Sequence, residues 1–287
     1  MAHRTAFVLA GGGSHGAVQV GMLRAIVRAG LTPDLVVGTS VGAVNGAFFA
    51  SDPTARGVER LAEIWHGVQR RHIYPAPATT LIPALLGRGA HLCDPAGLRA
   101  LLTRSFGDTE FSDLPMPCAV VAADFRTSEE VVLQAGRVAD AVLASAAVPV
   151  IFPPVRLGDR LLVDGALSRN TPIGTALALG ATRLVVLPTG FACGTRDVPR
   201  GAVATALHHI GVLLARQLAS EALAVQQSRP DVTLNIAPPL CPMPVSSYDF
   251  SSVRALIARA EASTEAWIAA DGLSSDQIPM TLAPHTH

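Results

Sequence analysis

The stretch VLAGGGSHGAVQVGML, residues 8–23, sets the tightest limit on what this chain can fold into. An apolar run from Thr5 to Ala10 enters Gly11, Gly13 and Gly16, which stand in G-x-G-x-x-G spacing. Helical periodicity then holds from Gly16 to Ala29, with Val20, Leu23, Ile26 and Val27 on one face. Gly30 follows as a left-handed cap would, Pro33 keeps the connection short, and Asp34 to Thr39 reads as a second strand. Strand, helix and strand joined this briefly make a β-α-β unit, whose strands must lie parallel in a sheet covered by helices.

The same alternation continues. Val41 to Ala50 reads as a small-residue helix, Asp94-Pro95 opens a helix to Phe106, and strands follow near Cys118 to Ala123 and Val131 to Leu133. A helix over Val138 to Ala147, a strand near Leu161 to Val163 and a helix over Pro172 to Leu179 come next. Strands at Arg183 to Leu187 and Asp231 to Ile236 flank a long helix within Val203 to Gln226, and a last helix runs from Ser251 to Ala270. The expected fold is α/β, a mainly parallel sheet with helices on both faces, in one domain over 1–275 with a loose tail over 276–287. Residues 51–92 break the pattern. They hold an amphipathic piece at Arg60 to Val68 and then a Pro-rich, partly apolar stretch, Ile73 to Leu86, which is either an irregular crossover connection or a surface cap or lid.

Composition excludes several classes. With 49% apolar and 15% charged residues the chain can bury a large core and is not a disordered one. A formal net charge of zero without a basic run leaves no electrostatic footprint for nucleic acid and no polybasic membrane patch, so any transient membrane contact would be apolar. No segment approaches ~20 uninterrupted apolar residues, and the apolar stretch before the first glycines is too short for a signal-peptide core. Cys93, Cys118, Cys193 and Cys241 form no C-x-x-C pair, which fits buried free thiols in a reducing, cytoplasmic setting.

Three pieces carry chemistry. The second strand ends in Gly38-Thr39-Ser40-Val41-Gly42, a G-x-S-x-G between strand and helix. In that context the serine sits on a sharp, strained turn, and the first amides of the next helix, Val41 foremost, point at the same spot. Taken alone, the motif also describes a glycine-rich turn whose serine caps a helix. The opening loop could cradle a dinucleotide, but that site wants an acidic residue at the end of the second strand, and Asp34 lies at its beginning. The amides of Gly11, Gly12 and Gly13 stand instead at the same sheet edge as Ser40, as an oxyanion hole would. Finally, LLVDGALSRNTP brings Asp164 out of an apolar strand directly before Gly165, either as a plain turn or as the base that a serine hydroxyl needs.

In this order the pieces resemble the patatin-like phospholipases: G-G-G-x-x-G ending at Gly16, G-T-S-V-G from Gly38 to Gly42, and D-G-A at Asp164, Gly165 and Ala166. ASAAVP at Ala144 to Pro149, and Asn170 and Pro172 behind the aspartate, add to the likeness, which covers roughly residues 5–190. The resemblance implies a three-layer α/β/α sandwich and a Ser-Asp dyad without histidine. Ser40 would attack a lipid acyl ester, Asp164 would take its proton and later activate water, and the glycine loop would hold the oxyanion, with no metal and no organic cofactor. His15 stands where the family usually has Arg or Lys. Two rivals remain. An α/β-hydrolase triad would use Ser40, Asp164 and His208 or His209, although both histidines fall within a helical stretch. A non-catalytic lipid-binding relative would keep the fold without the reaction.

Overall fold

The computed structural model describes residues 4–75, 77, 83, 91–190, 202–243 and 245–282. A single mixed sheet forms the middle layer. Its parallel part comprises β1 (Thr5–Leu9), β2 (Leu35–Thr39), β3 (Cys118–Asp124), β7 (Arg183–Leu187) and β8 (Thr233–Ile236), in the spatial order β3-β2-β1-β7-β8. Short antiparallel strands extend it: β4 (Glu130–Leu133) and β6 (Arg160–Asp164) pair with β3, and β5 (Val155–Leu157) pairs with β6.

Because both faces of the parallel strands are covered, their sequences read as continuous apolar runs. The pleat sorts them. Phe7 and Leu9 of β1 join the core on one face, while Ala6 and Val8 join the core on the other. The first face is packed by α1 (Gly16–Arg28), α2 (Val41–Ser51), α3 (Ala55–Gly67), the one-turn α4 (Arg70–Ile73) and α10 (Val253–Ala269). Between α5 (Ala96–Phe106) and α6 (Val138–Ser145) the same core continues through Leu98, Leu102, Phe106 and Val142. On the opposite face, α8 (Ile173–Ala178) and α9 (Ala202–Ser228) bury Ile173, Ala176, Leu218, Ala222 and Val225. The result is the three-layer α/β/α arrangement expected from the alternating pattern.

Two expectations need correction. Cys93 and Cys118 are free and buried, but Cys241 is disulfide-bonded, so the reading of four free thiols fails and its argument for a reducing compartment goes with it. Cys193 lies outside the described residues. The segment from Asp276 to Leu282, expected to be loose, is docked: the Asp276 carboxylate accepts the Leu234 N–H at 3.0 Å, and Leu282 is buried beside Ile278 in the second core. β5 escaped the pattern because three residues among prolines carry no readable alternation. Of the apolar stretch Ile73 to Leu86, Leu81, Leu85 and Leu86 lie outside the described residues. Among those described, no helix is long and apolar enough to cross a membrane.

Docking of the C-terminal segment predicts that Leu282→Ala lowers stability by about 2 kcal/mol, the low end for a buried leucine, read as a shift of the urea midpoint. An unchanged midpoint would mean that the segment contributes nothing.

Candidate active site

The sheet register brings two distant residues together. Val121 of β3 pairs with Thr39 of β2 on one edge and with Val132 of β4 on the other. The next residue, Ala122, pairs with Asp164 of β6 and with Val131 of β4. Since β4 occupies one edge of β3 from Val120 to Ala123, overlapping both partners, β2 and β6 must share the other edge, end to end. Both therefore terminate at the same point. Ser40, one residue past β2, donates its hydroxyl to Asp164 Oδ2 at 2.6 Å.

Ser40 is held in a strained conformation, φ 54° and ψ −123°, of a kind that costs about 1–3 kcal/mol in a non-glycine residue. Its flanking glycines are required by space. A Cβ on Gly38 would strike the Gly42 carbonyl, and one on Gly42 would strike the Leu9 carbonyl of β1. The turn is anchored by Ser145, whose Oγ accepts the Ser40 N–H at 2.9 Å and donates to the Val121 carbonyl at 2.5 Å. The Ser145 carbonyl also accepts the Gly165 N–H, so one buried residue at the end of α6 holds both halves of the pair. Ser145 lies in the ASAAVP stretch, but nothing local in that stretch signals its role.

Asp164 is 3% exposed. Burial drives its pKa up to about 6, opposed by the bond from Ser40 and by the Ala166 N–H, which donates to Oδ1 at 2.8 Å. Gly165 admits no side chain because the Val121 carbonyl fills that space. Behind it the short α7 (Ala166–Arg169) is latched to β2, since the Thr39 hydroxyl donates to the Arg169 carbonyl at 2.8 Å. The Arg169 guanidinium in turn faces Glu130 and Glu221 at 3.6 and 3.5 Å.

The glycine loop lies against Ser40, with Gly11 close to the Ser40 Cβ. Gly11 itself is not available as a donor to substrate. Its N–H is bonded to the Asn170 carbonyl at 2.9 Å, and its carbonyl accepts the Thr189 hydroxyl at 2.7 Å. The amides of Gly12 and Gly13 have no hydrogen-bond acceptor among the described residues. The Val41 amide opens α2 and is one of the orphan donors that a helix start leaves. Gly12, Gly13 and Val41 thus remain from the expected set of four, and Gly11 fixes the loop. Asp34 accepts the Thr5 N–H at 2.7 Å at the start of β1, the sheet edge opposite the loop, so no ribose partner faces these glycines.

His15 and Ser14 tie the loop to the segment before α10. His15 Nε2 donates to the Val245 carbonyl at 2.9 Å, and Ser14 N–H donates to the Ser247 carbonyl at 2.7 Å. Burial lowers the His15 pKa, against the bond to Val245, so the ring at the position where the family usually has a cation serves to tie the loop down. The same region brings an aromatic wall towards Asp164. Tyr74 stacks on Phe152 at 5.5 Å and meets Tyr248 at 5.3 Å and Phe250 at 6.1 Å. Burial pushes the Tyr74 and Tyr248 phenols up, and the negative charge of Asp164 adds to both shifts. These rings come from three separate loops, which sequence periodicity cannot connect. His209 is exposed on α9, with its ring bonded to the Thr205 carbonyl one turn away. The direct contact between Ser40 and Asp164 leaves no gap for an imidazole between them.

With this geometry in hand, comparisons with known proteins converge. The sequence model described as patatin-like phospholipase matches residues 7–177. A Mycobacterium tuberculosis protein described as an uncharacterized NTE family protein is 33% identical over 172 residues, 60% of this chain and 28% of the relative. Human patatin-like phospholipase domain-containing protein 6 is 29% identical over 187 residues, 64% of this chain and 13% of the relative. The chain therefore spans less than a third of these relatives. Human GIVD cytosolic phospholipase A2 aligns in structure with a TM-score of 0.52 at 11% identity, covering 96% of this chain and 60% of that one, a likeness of fold.

The raised pKa of Asp164 has a measurable consequence for stability. A carboxyl whose pKa rises from 3.8 to about 6 on folding favours the folded state only while protonated. Its charge destabilises the fold increasingly between about pH 4 and 6, and by roughly 3 kcal/mol above that. Asp164→Asn is therefore expected to be more stable than the wild type at pH 8 and to lose that advantage by pH 4, in urea melts at both pH values. An advantage that stays constant with pH would contradict the shift.

Proposed function

Since the chain belongs to the patatin-like phospholipase family, we propose that it is a serine acyl hydrolase that cleaves lipid acyl esters with Ser40 as nucleophile and Asp164 as proton acceptor. The observation that carries this reading is the 2.6 Å hydrogen bond from a strained, turn-borne serine to a buried carboxylate. Asp164 accepts the hydroxyl proton as Ser40 Oγ bonds to the ester carbonyl carbon. The carbonyl oxygen becomes an oxyanion facing the amides of Gly12, Gly13 and Val41. As the tetrahedral species collapses, the proton passes from Asp164 to the departing alcohol, leaving an acyl-serine. Water then adds to the acyl carbon while Asp164 takes its proton, and Ser40 recovers that proton as the acid leaves.

Burial serves this chemistry. A carboxylate with a pKa of about 6 is still mainly ionised at pH 7, yet it is a better base than an ordinary aspartate. The aromatic wall of Tyr74, Phe152 and Tyr248 supplies an apolar surface that suits an acyl chain. Apolar side chains also stand exposed near the site. Val150, 65% exposed, lies on the loop after Ala147, whose carbonyl accepts the Asp164 N–H; Leu167, 54% exposed, lies on α7 just after Asp164. They would let the protein meet a lipid aggregate by apolar contact, in a chain whose net charge is zero.

Hydrolysis of short- and long-chain p-nitrophenyl esters tests the proposal. Ser40→Ala and Asp164→Asn, folded by circular dichroism, are expected to lose on the order of 10³-fold or more in kcat, while His209→Gln keeps most of it. The wild-type kcat/KM should fall tenfold per pH unit below about pH 6, as Asp164 becomes protonated in the free enzyme. Retained activity in folded Asp164→Asn would overturn the dyad.

A further inference from the structure

Beneath the glycine loop lies a run of polar side chains that the reaction does not touch. Gln19 of α1 and Asn45 of α2 are fully buried, and Trp65 of α3 is nearly so. The Trp65 indole N–H donates to Asn45 Oδ1 at 2.8 Å. Asn45 Nδ2 donates to the Gly16 carbonyl at 2.9 Å and to Gln19 Oε1 at 2.8 Å. Gln19 Nε2 donates to the Ala10 carbonyl at 2.8 Å and to the Leu187 carbonyl at 2.9 Å.

This network has one possible direction. An indole N–H can only donate, and main-chain carbonyls can only accept. Starting from Trp65, Asn45 must present its oxygen to the indole and its NH₂ to Gly16 and Gln19. Gln19 must then present its oxygen to Asn45 and its NH₂ to Ala10 and Leu187. Flipping either amide would set donor against donor or oxygen against oxygen. Both NH₂ groups use both hydrogens, so the chain is satisfied and rigid.

What the network grips is the loop. Ala10 is the residue immediately before Gly11-Gly12-Gly13, and Gly16 closes the motif at the start of α1. Its anchors are the end of β7 at Leu187, the helix that follows Ser40, and α3. Trp65 also packs its ring on Gly16, where a Cβ would come within 2.9 Å of Cζ2. Three adjacent glycines have no side chains to fix their amides, and an oxyanion donor misplaced by a fraction of an ångström loses much of its effect.

Resting on the proposed hydrolase reading, we propose that Trp65, Asn45 and Gln19 are positioning residues: a one-way hydrogen-bond relay that clamps both ends of the glycine loop and so aims the Gly12 and Gly13 amides at the oxyanion. A relay of this kind acts on the transition state and leaves ground-state binding nearly unchanged.

The experiment compares Gln19→Met, which keeps the volume and removes the bonds to the Ala10 and Leu187 carbonyls and the acceptor for Asn45, with Trp65→Phe, which removes the N–H at the far end of the relay. Leu102→Ala, a cavity variant in α5, serves as the control for lost stability without lost hydrogen bonds. The readouts are kcat and KM on a p-nitrophenyl ester, and Ki for a trifluoromethyl ketone, whose adduct at a serine places an oxyanion in the hole. Gln19→Met is expected to lose about 10–100-fold in kcat with KM within about twofold and Ki raised in parallel, and Trp65→Phe a smaller loss of the same kind. Leu102→Ala should keep kcat within about twofold. The relay is overturned if kcat and Ki survive in Gln19→Met, or if Leu102→Ala loses as much kcat for equal destabilisation. Should Gln19→Met fail to fold, Trp65→Phe decides by the same criteria. Activity that persists in Ser40→Ala would instead sink the hydrolase reading, a result that the relay variants cannot produce.

Discussion

One edge of β3 is shared by two strands running towards each other, and the site depends on that arrangement. β2 ends opposite Val121 and β6 ends opposite Ala122, so the residues that emerge have nowhere to go except into contact. Had β6 run parallel to β3 in that position, it would have started beside the end of β2 and carried Asp164 away from Ser40. The antiparallel entry of β6 reverses that direction. The hydrogen bond between Ser40 and Asp164 follows from register, and the side chains need only be the right ones.

The surrounding chain maintains two unfavourable states at this point. Ser40 has a backbone conformation that its side chain disfavours, and Asp164 carries a charge in a buried setting. Ser145 answers both, since its hydroxyl holds the Ser40 amide and its carbonyl holds Gly165. Glycines at 38, 42 and 165 let backbone pass where any Cβ would meet a carbonyl, which is how the turn can lie so close to β1 and β3. Stability given up locally is supplied by cores on both faces of the sheet, where the strands are almost completely buried.

The parts of this plan written locally were legible. Apolar runs into glycine marked the strand ends, so Ser40, Asp164 and the glycine loop could be named, and the alternation of elements gave the three layers. The parts that rest on long-range partners were hidden. Gly11 looked like its neighbours in sequence, but its amide is taken by Asn170, which only the folded register brings near. Gln19 reads as an ordinary polar position on α1, although it is wholly buried. The aromatic wall draws on residues from loops near 74, 152 and 248, and no period links them. Nor could spacing show that Cys241 would be in a disulfide, because pairing is a matter of distance in space.

The most direct test of the account is to identify the atom that attacks. A long-chain fluorophosphonate probe, followed by digestion and mass mapping, should give an adduct on Ser40 and on no other residue. The labelling rate should rise to half its maximum near pH 6 and collapse in Asp164→Asn. An adduct elsewhere, or labelling of Ser40 at an undiminished rate without Asp164, would contradict the dyad on which the account rests.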